Sequence, residues 1–223
     1  MCKPACRSGR LGFFGWIDAL DFSMGISQRR TVGVLALQGD FEEHLVVFRR
    51  LGVRAVEVRT ASELFECDGL VIPGGESTVM SLMLDRTGLR QKIVSFWKEK
   101  KGAIWGLCAG AIMLSRQPRV ESLEKGSMGS VHPLGLMDMV VDRNAYGRQT
   151  ESFAAKMVSE VVPDMEGVFI RAPRIVDVGK RGKVLATFKG DPVLVRQGRL
   201  LACTFHPELT EDARLHEYFL GMV

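Results

Sequence analysis

No stretch of this 223-residue sequence is apolar for long enough to cross a bilayer. The longest charge-free run in its body, residues 102–115, has 14 residues and three glycines, where about 18 are needed. A signal peptide is not expected either, because Asp18 and Asp21 interrupt the apolar run 11–17 and no small-residue cleavage site follows. Cysteines are few: five, at positions 2, 6, 67, 108 and 203, with no spacing of a zinc site. An odd, scattered set fits a reducing cytoplasm, and no metal or cofactor is expected. A concentrated positive charge is also missing from the body. Of the formal net charge of +4, residues 1–30 hold +3, so the basicity marks no nucleic-acid surface. Internal repeats, low-complexity tracts and linkers are absent as well.

What remains is a globular composition, 46% hydrophobic and 25% charged. Residues 31–223 are read as a single domain and residues 1–30 as an extension outside its core, with Met24 a possible alternative start. Thr31–Leu37 is apolar and β-branched, the signature of a buried strand. Asp40 with Glu43 three residues on suggests a capped helix carrying Leu45, Phe48 and Leu51, ended by Gly52. Strands follow at 53–58 and 69–72, a short helix at 61–65, and a helix capped by Thr87 with Ile93, Phe96 and Trp97 on one side. Ala103–Gly106 reads as a strand running into a second helix that reaches Leu114. This alternation predicts an α/β fold around a mostly parallel sheet. From about residue 137 the pattern is mostly strands (137–142, 152–158, 168–170, 183–188, 192–195 and 200–205), which adds an antiparallel portion. A helix over 210–222 closes the chain.

The strongest chemical feature is Gly106-Leu107-Cys108-Ala109-Gly110 between a strand and a helix. Flanking glycines permit the tight turn of a nucleophile elbow. The helix start favours thiolate over thiol, and the Ala109 amide is free for an oxyanion. A thiolate needs a base, and four histidines are available. His44 lies beside Glu42 and Glu43 and reads as solvated or partner-facing; His216 reads as a surface group of the last helix; His132 falls in a Gly/Ser-rich loop. His206 follows an apolar strand, and in extended chain Glu208 would point the same way and orient its imidazole. Cys108, His206 and Glu208 thus form a candidate triad. Cys67 and Cys203 read as inert core thiols, and Cys2 and Cys6 carry no argument. Pro73-Gly74-Gly75-Glu76-Ser77-Thr78, after a buried strand, offers a second oxyanion donor.

With these motifs in place, the sequence resembles the class I (triad) glutamine amidotransferases, and within them the glutaminase subunits of pyridoxal 5′-phosphate synthase. The resemblance rests on VGVLALQGDFEEH (32–44), LVIPGGEST (70–78), GLCAG (106–110), DRNAYGRQ (142–149), VFIRAP (168–173) and FHPELTED (205–212). It covers roughly residues 31–223. It implies a three-layer, flavodoxin-like fold with a mixed, mostly parallel sheet flanked by helices.

The resemblance also implies hydrolysis of L-glutamine to glutamate and ammonia through a Cys108 thioester, with His206 and Glu208 completing the triad. Gly75 and Ala109 would form the oxyanion hole. Glutamine binding would fall on Gly75, Glu76, Ser77, Arg143, Ile170 and Arg171. An arginine makes physical sense there, since its planar fork suits an α-carboxylate. Ammonia would pass to a separate synthase subunit that assembles as a large ring, and the first helix near His44 is a candidate docking surface. Leu107 stands where Thr is frequent and Arg174 where His is common, and the extension has no counterpart. Two rivals share the elbow: a glutaminase serving a different synthase, and a Cys-dependent hydrolase or peptidase on a similar scaffold.

Overall fold

A computed structural model describes residues 30–119, 131–143 and 152–223. The chain opens with β1 (Thr31–Leu35), α1 (Phe41–Arg50), β2 (Arg54–Val58), α2 (Ala61–Glu66) and β3 (Gly69–Ile72). It continues through α3 (Ser77–Arg86), α4 (Leu89–Lys98), β4 (Ala103–Leu107) and α5 (Ala109–Leu114). Next come β5 (Ser115–Arg119), β6 (Met137–Asp142), β7 (Phe153–Lys156), β8 (Val158–Ser159), β9 (Glu166–Phe169) and β10 (Arg174–Val178). The last elements are β11 (Lys183–Phe188), β12 (Asp191–Gln197), β13 (Leu200–Cys203), a 3-10 turn (Pro207–Leu209) and α6 (Arg214–Leu220).

The main sheet has eight strands in the order β2-β1-β3-β4-β13-β12-β11-β8. The pairings from β2 through β13 are parallel, and β12, β11 and β8 join antiparallel. Two small sheets, β10-β6-β5 and β7-β9, flank it.

Alternation along each strand divides the core between the two faces. Leu70, Ile72, Ile104, Leu200 and Ala202 join one cluster, which α2, α3, α4 and α5 cover with Leu64, Met80, Leu84, Ile93 and Phe96. Val71, Trp105, Leu107, Leu201 and Cys203 join the other, covered by α1 and α6 through Leu45, Phe48, Leu215 and Phe219. Burial on both faces explains why these strands read as unbroken apolar runs. Each large side chain so buried contributes about 1.5–3 kcal/mol. The result is the expected three-layer α/β architecture.

Several local expectations are corrected. Asp40 makes no side-chain cap to α1; its carboxylate instead lies 3.9 Å from His206 Nδ1. The capping box belongs to α2, where Thr60 Oγ1 accepts from the Glu63 amide and Glu63 accepts from the Thr60 amide at 2.9 Å. Thr87 ends α3, its hydroxyl donating to the Met83 carbonyl, and Gly88 with φ +70° opens α4. The strand expected over 152–158 splits into β7 and β8, which enter different sheets. The closing helix is shorter than expected, and β5 and β10 have no counterpart in the expectations. Residues 1–29, which include Cys2 and Cys6, lie outside the described residues, as does the part of DRNAYGRQ beyond Arg143.

Candidate active site

The carboxyl ends of β1, β3, β4 and β13 meet at one edge of the sheet. This is where doubly wound folds hold ligands, beside the reversal of strand order at β1 and β3. Cys108 leaves β4 there with φ +48° and ψ −103°, a conformation that costs a non-glycine residue about 1–3 kcal/mol. The surrounding backbone fixes it. The Cys108 amide donates to the Cys203 carbonyl at 2.9 Å, and the Cys108 carbonyl accepts from Ala111 and Ile112 at 3.1 and 3.2 Å. The elbow depends on its glycines: a Cβ on Gly110 would stand 2.1 Å from the Ile72 carbonyl oxygen, and one on Gly106 2.4 Å from that of Gly110. As the first residues of α5, Ala109 and Gly110 have amides with no acceptor inside the helix.

His206 is 2% exposed. Its amide donates to the Val168 carbonyl at 2.8 Å, which ties the segment after β13 to β9. Its Nδ1 lies 2.6 Å from Glu208 Oε1. This contact is made through a turn rather than along extended chain, since Pro207 starts a 3-10 segment that folds the carboxylate back beneath the ring. Gly74 packs directly on the imidazole, with room for no Cβ: one would fall 2.4 Å from His206 Cε1. Burial opposes protonation of His206, but a hydrogen bond with the Cys108 side chain and the Glu208 carboxylate outweigh it and raise the pKa to about 10. Burial pushes the Glu208 carboxyl up, and contact with His206 works against that. His206 therefore stands between Cys108 and Glu208, in contact with each and positioned to accept and return a proton.

The opposite wall is more open. Glu76 caps α3, its carboxylate accepting from Thr78 and Val79 at 2.9 and 2.6 Å. Gln38, three residues beyond β1, clamps the same turn: its side chain donates to the Glu76 carbonyl at 3.2 Å and accepts from the Glu76 amide at 3.1 Å. Gly75, with φ +138°, lies within that clamp. Arg143 Nη2 donates to Thr78 Oγ1 at 2.9 Å and lies 3.8 Å from Glu76 Oε1, so the guanidinium is held over the start of α3. Its Nε is buried without a hydrogen-bond partner among the described residues. Ser77 is buried, Ile170 half-buried, and Arg171 exposed with a left-handed backbone, φ +43°.

Burial raises the pKa of Cys67 to about 11 and that of Cys203 well above its usual value, which suits inert core thiols. Asp40, His206 and Glu208 bring potential metal ligands within 4.8 Å of one another, although His206 Nδ1 is already committed to Glu208. Two expectations fail outright. His44 and His216 are neither solvated nor at the surface; both are 0% exposed. Gln38 was legible only as part of the LQG segment, with no reason to single it out.

The fold is that of the class I glutamine amidotransferases. A crystal structure described as a glutamine amidotransferase superposes with a TM-score of 0.77 at 44% identity, covering 86% of this chain and 97% of that one. The model of the SNO glutamine amidotransferase family matches residues 34–223, and the chain belongs to that family. A Brevibacillus brevis protein described as pyridoxal 5′-phosphate synthase subunit PdxT is 49% identical over 86% of this chain and 96% of its own length. A Thermotoga maritima protein of the same description is 45% identical over 86% of this chain and 98% of its own.

Proposed function

We propose that this chain is the glutaminase subunit of a pyridoxal 5′-phosphate synthase, hydrolysing L-glutamine to L-glutamate and ammonia. The observation that carries the reading is the contact set of a strained Cys108 elbow, a buried His206 and the Glu208 carboxylate at 2.6 Å. The Cys108 sulfur attacks the side-chain amide carbon of glutamine, and the carbonyl π electrons move onto oxygen. The amides of Gly75 and Ala109 receive that oxyanion. Collapse expels the amine, protonated by His206, as ammonia and leaves a γ-thioester. His206 then takes a proton from water, the hydroxide displaces the thiolate, and glutamate leaves. Glu208 keeps the imidazole in one tautomer and supports its charge. With the free enzyme's imidazolium held up to about 10 by the Cys108 side chain and Glu208, the proton for ammonia stays available across the neutral range.

Glutamine is bound by Gly75, Glu76, Ser77, Arg143, Ile170 and Arg171, with Arg143 or Arg171 taking the α-carboxylate. Arg143 favours this role, since its buried Nε has no partner among the described residues and retains a donor for a ligand. Ammonia passes to a separate synthase subunit, the two forming a ring-shaped hetero-oligomer in the cytoplasm. Residues 31–223 form the glutaminase domain, with residues 1–30 an extension to it. The test is ammonia release from L-glutamine by the parent and by Cys108→Ala, with and without a pyridoxal 5′-phosphate synthase partner subunit. Turnover that needs Cys108 and rises with that partner supports the reading. Turnover that survives Cys108→Ala overturns the site, and activation only by a different synthase overturns the partner.

A further inference from the structure

Behind the triad, on the side away from Cys108, two more histidines continue the line of polar groups into the core. His44 Nδ1 lies 3.1 Å from His216 Nε2. His44 Nε2 faces Glu208 Oε2 at 3.6 Å, a few tenths of an ångström beyond a hydrogen bond, and both side chains are fully buried. Neither of these two atoms has another hydrogen-bond partner among the described residues. The pair sits in an aromatic cage: Trp105 meets His216 edge-on at 5.0 Å, and Phe48 does so at 5.1 Å. A core of that kind gains nothing from imidazole that phenylalanine would not supply, unless the nitrogens act.

We infer that His44 is a positioning residue for the glutaminase triad: its Nε2–H holds the second oxygen of Glu208, and His216 fixes the tautomer that points this proton at the carboxylate. The inference rests on the triad proposed above. Burial pushes His44 well below its usual pKa and His216 down to about 3, so both rings are neutral and each carries one N–H. Two arrangements of those protons are available. If His44 donated to His216, its bare Nε2 lone pair would face an anionic oxygen. If His216 Nε2–H donates to His44 Nδ1, then His44 Nε2–H points at Glu208 Oε2 and the anion is satisfied on both oxygens. The second leaves only the His216 Nδ1 lone pair without a partner. Glu208 would then be held by two rings, His206 on Oε1 and His44 on Oε2. Its negative charge, which burial disfavours, is stabilised where His206 needs it.

The charged and titratable groups around this line are few. Asp40, on the chain leading into α1, lies 3.9 Å from His206 Nδ1. Arg50 and Asp212 act on His216 electrostatically from the outer side. His206 acts on His44, and Cys108 lies beyond it. Cys203, which feels both Glu208 and Cys108, remains a neutral thiol because burial pushes its pKa up.

The test uses His44→Phe, His44→Gln and His216→Phe, each in complex with the synthase subunit, beside Cys108→Ala. Two quantities are read: the pH dependence of kcat and KM for glutamine, and the pH dependence of Cys108 alkylation by iodoacetamide, followed on the Cys108 peptide. Losing a donor to the charged Glu208 carboxylate raises its pKa further, so a higher pH is needed before the anion that supports the His206 imidazolium beside the Cys108 thiolate is formed. In His44→Phe, kcat falls about tenfold with KM unchanged, the low end for a residue that orients a reacting group through another. The acid limb of both profiles moves up by about one pH unit, the size of a lost interaction with the charged form. His44→Gln, which keeps an N–H donor, restores most of the limb, and His216→Phe shifts it the same way by less. A purely structural role for His44 would lower the folded fraction without moving either limb. Parent-like limbs in folded His44→Phe and His216→Phe, or no recovery in His44→Gln, overturn the inference. Should His44→Phe fail to fold, His216→Phe and His44→Gln still decide it. Loss of all activity in Cys108→Ala alongside unshifted limbs rejects the positioning role alone, whereas activity in Cys108→Ala rejects the triad itself.

Discussion

The two walls of the site are built differently. On one, Glu208 and His206 lie at the top of an aromatic core, tied by a 2.6 Å contact and almost free of solvent. On the other, Glu76 is half exposed on its side chain, Arg143 leans on Thr78 and Glu76 with its own side chain only 6% exposed, and Arg171, just after β9, is exposed. The proton-moving groups therefore inherit the rigidity of the sheet and its packing. Glu76 and Arg143, proposed above to meet the substrate, are held by polar contacts with each other and with Thr78, which a ligand can exchange at small cost. A low-dielectric wall strengthens every charge placed in it, and solvent screens the charges that stay exposed.

This contrast breaks first at its buried side. Glu208→Ala removes the anion beneath His206 and is expected to lower kcat by about 10³–10⁴-fold, as loss of the third triad member does elsewhere; steady-state glutaminase assays check this. Next is the elbow, where Gly110→Ala drives a methyl against the Ile72 carbonyl oxygen. That overpacking should cost about 3 kcal/mol in a urea-unfolding titration and slow turnover, because the strand–helix turn must shift. On the other wall, Arg143→Ala should raise KM for glutamine by roughly ten- to a hundredfold with kcat nearly unchanged, the value of one hydrogen bond from a charged donor. The smallest effect belongs to Glu76→Ala, which loses the α3 cap at about 1 kcal/mol, a fall of roughly 2–4 °C in melting temperature. Equal kcat losses on both walls would erase the distinction.

Much of this was legible from residue types and spacing. The elbow, the PGG turn and the His-x-Glu stand where strands of continuous apolar residues end, and the three came together as their spacing suggested. The two buried histidines were not legible, although the signal was present. His44 is four residues before Phe48, and His216 three before Phe219, so both lie on apolar stripes. Their residue type and the acidic neighbours Glu42 and Glu43 outweighed that periodicity. The cap at Asp40 was misread for a similar reason: a tertiary neighbour, His206, competes for the carboxylate that a local rule assigns to α1. The strands β5 and β10 each carry two charged residues in five and pair only in a small peripheral sheet, so neither showed a core pattern.

The account stands on Cys108 being the nucleophile that meets the glutamine side chain. The direct measurement is covalent labelling with a glutamine analogue bearing an electrophile at the side-chain carbonyl position, read by mass spectrometry of the intact chain and its peptides. The account predicts one adduct per chain, on Cys108, suppressed by excess L-glutamine and slowed by His206→Ala. An adduct on another residue that abolishes activity, or full activity in a chain labelled at Cys108, would contradict it.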